Sequence, residues 1–351
     1  MRLSVRPDTI PEAVGLAAGL APEPIFDSYV ALMQARTLMV AARVGIFAAL
    51  AEAPADAPAL AARLGLTEAG LDVVLPALRA LGYLDADAAG RVHRLSAKGR
   101  RTMTPGGRTS VTDWMTFTHD MWEAFDGLED VLRGGPAQGI HAYGPDDPYW
   151  ERYLRGLFQL SGYSAPDVAR AIRAPRRART ALDVAGGHGG YSMALCRRHR
   201  RLRATVVELE GAARVGRRIV AEHGMSGRVE HVVGDILTSD LRRPPAGYDI
   251  ALAANIVHHL PRADAVLLLR RMRAALGPGG RLAVFEQERP EPGATGTQIG
   301  TLTGVLFHVS SGARTCTAAE VRGMLAEAGL RDVRVRRLLR APGQMLVTGR
   351  A

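Results

Sequence analysis

The sequence has few cysteines, few aromatic residues and no long apolar run, and each shortage narrows the class of protein. Cys196 and Cys316 are its only cysteines. Two cysteines cannot build a disulfide framework, so we expect a protein of the reducing cytoplasm. No apolar run approaches the roughly 20 residues that a membrane-spanning helix needs. We therefore expect no membrane partner.

Lysine is almost absent as well, although the formal net charge is +10. Arginine carries the positive charge, and Lys98 is the one lysine. A basic chain can indicate nucleic-acid binding. However, aromatic residues make up only 5% of the sequence and do not alternate with arginine as they would on a base-stacking surface. The 351 residues, 47% of them hydrophobic, suffice for two globular domains, and we expect no nucleic-acid partner.

Glycine, by contrast, is concentrated in one informative place. Residues 180–192 read TALDVAGGHGGYS, where an apolar run ends at Asp183 and four glycines follow within seven residues. An amphipathic stretch begins at Tyr191. The order strand, glycine turn, helix lets a backbone approach a nucleotide-like ligand closely, because glycine lacks a Cβ and tolerates positive φ. It predicts the start of the cofactor site in a doubly wound α/β sheet.

The details of this turn separate the possible ligands. The dinucleotide fingerprint G-x-G-x-x-G fails because its third glycine would fall at Ser192, and the chain has no G-x-x-x-x-G-K-[ST] phosphate loop. Asp183 would repel a pyrophosphate but suits the ammonium group of S-adenosylmethionine. The alternative is a tight strand-to-helix turn that binds no ligand.

Four more strands are predicted after this turn, at residues 203–209, 229–233, 248–254 and 281–286. Acidic side chains lie at or just after the ends of three of them, at Glu208, Asp235 and Glu286. Glu208 could accept hydrogen bonds from ribose hydroxyls, and Asp235 could accept one from an adenine amino group. The pattern predicts a parallel sheet with ligand-binding residues at the carboxyl ends of its strands.

Together the blocks DVAGGHGG, VVEL, GDIL, ANIVHHL and LGPGGRLAVFE resemble class I S-adenosylmethionine-dependent methyltransferases. Within that class, roughly residues 25–350 resemble the small-molecule O-methyltransferase family shared by plants and antibiotic-producing bacteria. The resemblance implies S-adenosyl-L-methionine as cofactor, S-adenosyl-L-homocysteine as product, and a small-molecule acceptor from secondary metabolism. The implied cofactor-binding residues are Asp183, Gly186, Gly187, Glu208, Leu209, Gly234, Asp235, Ile236 and Asn255.

The implied fold class is α/β, with a Rossmann-like doubly wound methyltransferase domain after an N-terminal, mainly helical, winged-helix-like dimerisation domain. The predicted division is residues 1–106 for dimerisation, 107–170 for a helical linker that lines the substrate pocket, and 171–351 for catalysis. The resemblance also implies a homodimer formed through the N-terminal domain.

The N-terminal half supports a winged helix from its residues alone. Apolar residues recur at helical spacing over 26–52, and helices at 58–66 and 67–81 precede a small β-wing at 83–95. A winged helix can also place a helix in the major groove, so a metabolite-responsive DNA-binding regulator is an alternative. Against it, Arg79 is the only basic residue of the second helix.

Catalysis of methyl transfer to a hydroxyl needs positioning and a base, and histidine has a suitable pKa. His258 matches the catalytic-base position of the resembled family, and Glu286 matches the first of two acids that orient the base. The second acid is missing, because Ala313 stands in its place. We expect O-methylation of an aromatic or polyketide-like natural product. C-methylation, or cofactor binding without transfer, are the alternatives.

Most aromatic residues lie in residues 107–165, between the two predicted domains, and suit an apolar pocket. A related group of α-keto-acid C-methyltransferases binds a metal through histidines placed like His258 and His308, where the ion acts as a Lewis acid. His259 could add a ligand, but dispersed histidines are a weak metal signal, and we expect no metal. The predicted acceptor-binding residues are Trp114, His119, Phe158, Tyr163, His259, Phe307 and His308.

Overall fold

A computed structural model of the chain describes residues 5–7, 9–20, 22–140, 142–241 and 244–351. It contains two compact units, Arg2–Asp120 and Met121–Ala351. The division falls inside one helix, Thr112–Asp126. The three-part division at residues 106 and 170 stays a prediction.

The N-terminal unit is mainly helical. Side-chain caps start four of its helices, because Thr9, Asp56, Thr67 and Ser96 each accept a hydrogen bond from a backbone N–H in the first turn. Gly45 and Gly65 adopt left-handed conformations at helix boundaries. The helices are α1 (Ile10–Ala17), α2 (Glu23–Ile25), α3 (Ala31–Arg43), α4 (Ile46–Glu52), α5 (Ala57–Leu64), α6 (Glu68–Ala80), α7 (Ala97–Met103) and α8 (Thr112–Asp126), with a π-helical turn at Phe26–Val30.

A short antiparallel ribbon completes this unit. Strand β1 (Leu84–Ala86) pairs with β2 (His93–Leu95). Buried side chains from α3 to α7 and from the ribbon, among them Phe47 and Leu78, form one hydrophobic core. The predicted succession of two helices and a β-wing is confirmed.

The C-terminal unit is a sheet with helices packed against it. In the described residues the strands are β3 (Thr180–Val184), β4 (Arg203–Glu208), β5 (Val229–Val233), β6 (Tyr248–Ala254), β7 (Leu276–Gln287), β8 (Arg331–Arg337) and β9 (Gln344–Arg350). The helices are α9 (Leu128–Leu132), α10 (Tyr149–Ala171), α11 (Gly190–Arg198), α12 (Glu210–Glu222), α13 (Arg262–Ala275), α14 (Gln298–Ser311) and α15 (Ala318–Glu327). The strand order is β5-β4-β3-β6-β7-β9-β8, parallel from β5 to β7, with β9 antiparallel to both of its neighbours. The predicted doubly wound α/β fold is confirmed.

Strand β7 begins at Leu276, five residues before the predicted start at 281, and includes the glycine-rich segment 277–280. Tyr248 of β6 pairs with Leu276, and Ile250 already pairs with Arg281, so the intervening Gly-Pro-Gly-Gly segment bulges out of the ladder. An inserted segment of this kind interrupts pairing without ending the strand. The predicted strand therefore starts too late, because the segment that interrupts the pairing does not end the strand.

The topology places the polar residues of the site at one edge of the sheet. Chain order reverses between β3 and β6, which makes a crevice at the carboxyl ends of the strands. Asp183, Glu208 and Glu286 lie at or near those ends of β3, β4 and β7.

Within the described ranges no single helix has the length and hydropathy to cross a membrane, although the bent pair Glu23–Arg43 and Ile46–Glu52 would pass on length and composition alone.

Candidate active site

The glycine turn between β3 and α11 is tightly wound. Ala185, Gly187 and Gly189 all have positive φ, the region that non-glycine residues rarely adopt. A Cβ at Gly186 would lie 2.6 Å from Cγ of Asp183. Only glycine therefore fits at position 186 beside this carboxylate. The glycines leave one face of the turn's backbone without side chains.

Asp183 is the most buried acid of the turn, with 1% of its surface exposed. The Ser192 hydroxyl donates to its Oδ2 over 2.7 Å. Its Oδ1 has no hydrogen-bond partner among the described residues. Burial raises the pKa of this carboxyl to about 7, and the nearby Glu208 charge adds to the rise. A buried acceptor with a free lone pair fits an ammonium group.

Glu208 closes the other side of the turn at the end of β4. Its Oε2 accepts from the Gly187 N–H over 2.9 Å, and its Oε1 accepts from the Leu209 N–H over 2.8 Å. Burial raises its pKa, while the two backbone donors oppose the rise. Each oxygen keeps a lone pair, so the carboxylate can accept two further hydrogen bonds, as a ribose diol requires.

The loops after β5 and β6 hold the remaining predicted cofactor residues. Gly234 donates its N–H to the Glu208 carbonyl over 3.0 Å, which ties this loop to β4. Asp235 is exposed and accepts from the Leu237 N–H, and Ile236 packs against the main core. Asn255 has a left-handed backbone at the end of β6.

Two features of this crevice agree with the residues expected to bind S-adenosylmethionine. The buried Oδ1 of Asp183 lacks a protein donor in the described chain, and Leu209 is an apolar side chain left 48% exposed. The first suits a cationic amine and the second an adenosine surface. These two residues therefore fit the cofactor.

His258 and Glu286 form the strongest constellation of the unit. The imidazole is 4% exposed and the carboxylate 0%. Nδ1 of His258 lies 2.6 Å from Oε2 of Glu286, and the backbone N–H groups of Ile256 and Val257 donate to Oε1 over 2.9 and 2.7 Å. One carboxylate thus fixes both the loop and the ring. Nε2 of His258 faces no hydrogen-bond partner in the part of the chain that the structure describes.

Aromatic rings surround this imidazole. Phe307 of α14 stacks on it with ring centroids 4.2 Å apart and planes 7° apart, and the His259 ring centroid lies 4.0 Å away. Nδ1 of His259 is 3.2 Å from the Ser311 hydroxyl. The structure therefore brings His258, His259 and Phe307 together, as predicted for one site, although their roles stay predictions.

His308 is exposed on α14 and is adjacent to Phe307 in the chain. In the described residues no group of three or more His, Cys, Asp or Glu side chains is arranged to hold a metal ion.

The other four predicted acceptor residues lie on α8 and α10. The Phe158 ring of α10 makes edge contacts with the imidazoles of His188 and His223, and Tyr163 is exposed on the same helix. Trp114 and His119 belong to the N-terminal unit, where Trp114 contacts Phe117 and His119 is 3.2 Å from a nitrogen of Arg36. Acceptor binding by these four residues stays a prediction.

Sequence reasoning missed one residue behind the glycine turn, His231 of β5. It is buried, and its Nε2 lies 2.8 Å from the Gly187 carbonyl oxygen. A lone histidine at an inward position of a strand normally packs in a core, so its own pattern carries no signal of this contact. Only the pairing of β5 beside β4 brings it under the turn.

Comparison with known proteins agrees with this geometry. Residues 181–280 match the family model described as a methyltransferase domain. The chain is 28% identical over 346 residues to the 3-hydroxy-5-methyl-1-naphthoate 3-O-methyltransferase of Streptomyces sahachiroi, a match that covers 93% of this chain and 95% of that one. It is also similar to the structure of the mitomycin 7-O-methyltransferase, with a TM-score of 0.78 at 26% identity over 96% of this chain and 99% of that one.

A relative with a different named activity is also similar in sequence. Over 216 residues the chain is 33% identical to the aclacinomycin 10-hydroxylase of Streptomyces purpurascens, covering 59% of this chain and 56% of the hydroxylase.

The fold and the crevice define a methyltransferase with a Rossmann-like catalytic unit. Over nearly all of its length the chain is similar to small-molecule O-methyltransferases, and residues 181–280 match a methyltransferase domain. The predicted family and enzyme class are confirmed, and the relatives favour O-methyl transfer over the C-methylation and DNA-binding alternatives.

Proposed function

We propose that this methyltransferase modifies a hydroxyl of an aromatic or polyketide-like natural product, with His258 as general base. One observation carries the proposal. Glu286 engages the Nδ1 side of a buried imidazole and leaves Nε2 without a partner in the described residues. A base needs this arrangement, because the ring must be held in one tautomer with its other nitrogen free.

The proton follows from the hydrogen bonds. A carboxylate only accepts, so Nδ1 of the neutral imidazole carries the hydrogen and Nε2 carries the lone pair. Nε2 takes the proton of the acceptor hydroxyl, and the Glu286 carboxylate stabilises the imidazolium that results. Because Ile256 and Val257 also hold Glu286, the carboxylate stays in place while the charge develops.

Asp183 would hold the ammonium group of the cofactor, Glu208 its ribose hydroxyls, and Leu209, Asp235 and Ile236 its adenine. When bound, S-adenosylmethionine supplies a methyl group on a sulfonium sulfur that a nucleophilic oxygen can attack. Asp183 and Glu208 would thus hold the amino-acid part and the ribose of the ligand relative to His258.

The acceptor class is supported by the surroundings of the base. Phe307 and His259 give His258 an aromatic, largely dry neighbourhood that suits a flat ring. The relative from Streptomyces sahachiroi acts on a hydroxynaphthoate, and another, from Streptomyces lavendulae, is a mitomycin biosynthesis 6-O-methyltransferase. A hydroxylated polycyclic aromatic acceptor agrees with both.

The test measures binding and transfer separately. Calorimetry gives the affinity of the purified protein for S-adenosylhomocysteine, and mass spectrometry follows methylation of a panel of hydroxynaphthoates. We expect His258→Ala to bind S-adenosylhomocysteine as the wild type does and to transfer about 10²–10⁴-fold more slowly. The control His199→Ala, a half-buried histidine outside the crevice, should transfer at the wild-type rate. Equal turnover by His258→Ala would rule out His258 as the base.

We also propose that the protein is a cytoplasmic homodimer joined through its N-terminal unit. Its helices expose Tyr29, Leu32 and Met33, three side chains whose i, i+3, i+4 spacing places them on one helix face, as packing against a second copy requires. Cys196 is buried, and neither Cys196 nor Cys316 forms a disulfide, which agrees with a reducing compartment.

A further inference from the structure

We propose that His231 is a positioning residue for the cofactor, because it fixes the carbonyl of Gly187 from behind the glycine turn. The inference rests on the proposed function, since it concerns how that same crevice binds S-adenosylmethionine. It adds a residue from the middle of β5 whose role is separate from the residues at the strand ends.

Both polar atoms of the Gly187 backbone are engaged by the protein. Its N–H donates to Oε2 of Glu208 over 2.9 Å, and its carbonyl accepts from Nε2 of His231 over 2.8 Å. The two partners come from neighbouring strands, β4 and β5. A flip of either peptide plane next to Gly187 would break one of these hydrogen bonds. The two hydrogen bonds therefore hold the turn in one conformation.

The protonation of His231 is settled by its partner. A carbonyl oxygen only accepts, so Nε2 carries the hydrogen. Burial lowers the pKa of His231 to about 4, against the opposing effect of the Gly187 hydrogen bond. The imidazole is therefore neutral near pH 7. Its single donor, Nε2–H, donates to the Gly187 carbonyl oxygen.

The surrounding glycines make room for this contact. A Cβ at Gly216 of α12 would lie 2.3 Å from the Gly187 oxygen and 2.3 Å from Nε2 of His231. A Cβ at Gly189 would lie 3.2 Å from Cε1 of the same ring. The hydrogen bond thus occupies a space that only glycine at 216 leaves open.

Loss of the His231 hydrogen bond would weaken cofactor binding through its effect on Glu208. The Gly187 N–H is one of two backbone donors that orient this carboxylate. Without His231 the Gly187 carbonyl is left unpaired in a buried place, and the turn relieves this by rotating. Rotation removes the N–H from Glu208 and displaces the backbone beside Asp183, so both proposed cofactor contacts weaken together.

The first test compares two substitutions at one position. His231→Phe keeps a ring but removes the donor, and His231→Gln keeps an N–H donor at similar reach. We expect the dissociation constant for S-adenosylhomocysteine, measured by calorimetry, to rise about tenfold or more in His231→Phe and to stay within about threefold of wild type in His231→Gln. KM for S-adenosylmethionine should rise with it, while kcat at saturation changes little.

The second test changes Gly216 of α12, whose backbone packs against the same hydrogen bond. Gly216→Ala should raise the dissociation constant as His231→Phe does, although alanine favours a helix over glycine. The matched control is Gly162→Ala in α10, where a Cβ meets no atom within 4 Å. It should keep wild-type affinity and melt at the same temperature or higher.

The outcomes separate the two proposals. If the wild type does not bind S-adenosylhomocysteine, the proposed function fails. If it binds, and His231→Phe lowers the melting temperature while leaving the dissociation constant unchanged, His231 is structural only and this inference is wrong. Val229→Ala, a buried truncation on the same strand, gives the size of a purely structural effect.

Discussion

At the residue scale, the buried carboxylate of Asp183 links stability to ligand binding with opposite signs. Its pKa rises from 3.8 in the unfolded chain to about 7 when buried. Between these values the folded state binds more protons than the unfolded one, so stability falls as pH rises from about 4 to 7 and is then constant. The cofactor ammonium, by contrast, needs the ionised carboxylate.

Asp183→Asn should therefore stabilise the ligand-free protein at pH 8, by about 2–4 kcal/mol in free energy of unfolding, because no charge is buried. The same change should weaken S-adenosylhomocysteine binding. Wild-type affinity should rise with pH from 6 to 7.5 and the variant's should stay flat. Denaturant unfolding and calorimetry measure these effects. An exposed control, Asp72→Asn, should alter neither, and an unchanged pH profile in Asp183→Asn would contradict the assignment.

Glu208 offers a simpler prediction. Glu208→Ala leaves the Gly187 and Leu209 N–H groups without their acceptor and removes the proposed partner of the ribose. We expect S-adenosylhomocysteine affinity to fall by about 1–3 kcal/mol, measured by calorimetry. Glu210→Ala, which changes an exposed acid two residues further along, serves as control. Unaltered affinity in Glu208→Ala would refute ribose binding at this position.

Glu286→Gln tests how the base is oriented. The backbone N–H groups of Ile256 and Val257 require the amide oxygen, which turns the amide NH₂ towards Nδ1 of His258. The imidazole must then accept at Nδ1 and carry its hydrogen at Nε2, where it can no longer act as base. We expect kcat to fall at least about 10²-fold with cofactor affinity unchanged. A wild-type kcat in this variant would show that the tautomer does not matter.

How far the sequence predicts this site depends on where each residue gets its position. Asp183, Glu208 and Glu286 end parallel strands, and parallel topology alone gathers such residues at one edge. His231 and Ser311 were not predicted, because their contacts cross 44 and 52 positions of sequence and depend on strand order and helix placement. The Phe158 ring contacts His188 and His223, which a count of aromatic residues could not indicate.

At the scale of elements, strands with a clear apolar or β-branched content were predictable and a strand made mainly of arginine was not. Strand β6 matches its predicted bounds because it is a short, largely buried apolar run, and β5 matches because three of its five residues are valine. Strand β8 reads RDVRVRR, where only Val333 and Val335 pack against the core. So little apolar content does not distinguish an edge strand from a charged loop.

Helix α7 carries an element-scale prediction. A Cβ at Gly99 would lie 2.2 Å from the Tyr83 carbonyl oxygen, so the helix touches the β-wing backbone there. Gly99→Ala should destabilise the N-terminal unit by about 1–3 kcal/mol, although alanine favours helices by about 1 kcal/mol. Gly15→Ala in α1, where the Cβ meets no atom within 4 Å, should be neutral or stabilising. Thermal unfolding compares them, and a stabilised Gly99→Ala would disprove the contact.

At the scale of the whole molecule, the homodimer is the testable statement. Met33→Glu places a charge among the exposed apolar side chains of the N-terminal helices. We expect light scattering after size exclusion to give a dimer for the wild type and a smaller species for this variant. Val73→Glu changes another exposed apolar residue, on α6, and should stay dimeric. A monomeric wild type would end the dimer proposal, and a dimeric Met33→Glu would move the interface elsewhere.

The family resemblance predicts the fold of the whole chain better than its reaction. A hydroxylase shares 33% identity over 216 residues with this protein, so a Rossmann-like unit of this kind supports more than one chemistry. The proposed transfer to a hydroxyl, with a general base, depends on a handful of side chains, above all His258 and Glu286.

The space shared by His231 and Gly216 also limits how the sequence can drift. No side chain at 216 fits while the turn keeps this conformation, because a Cβ there would lie 2.3 Å from the Gly187 oxygen as well as from the imidazole. A substitution at 231 does not relieve this clash, since the Gly187 oxygen belongs to the backbone. Position 216 is therefore confined to glycine whatever residue stands at 231, whereas position 231 is free to change to another side chain that donates to the same carbonyl.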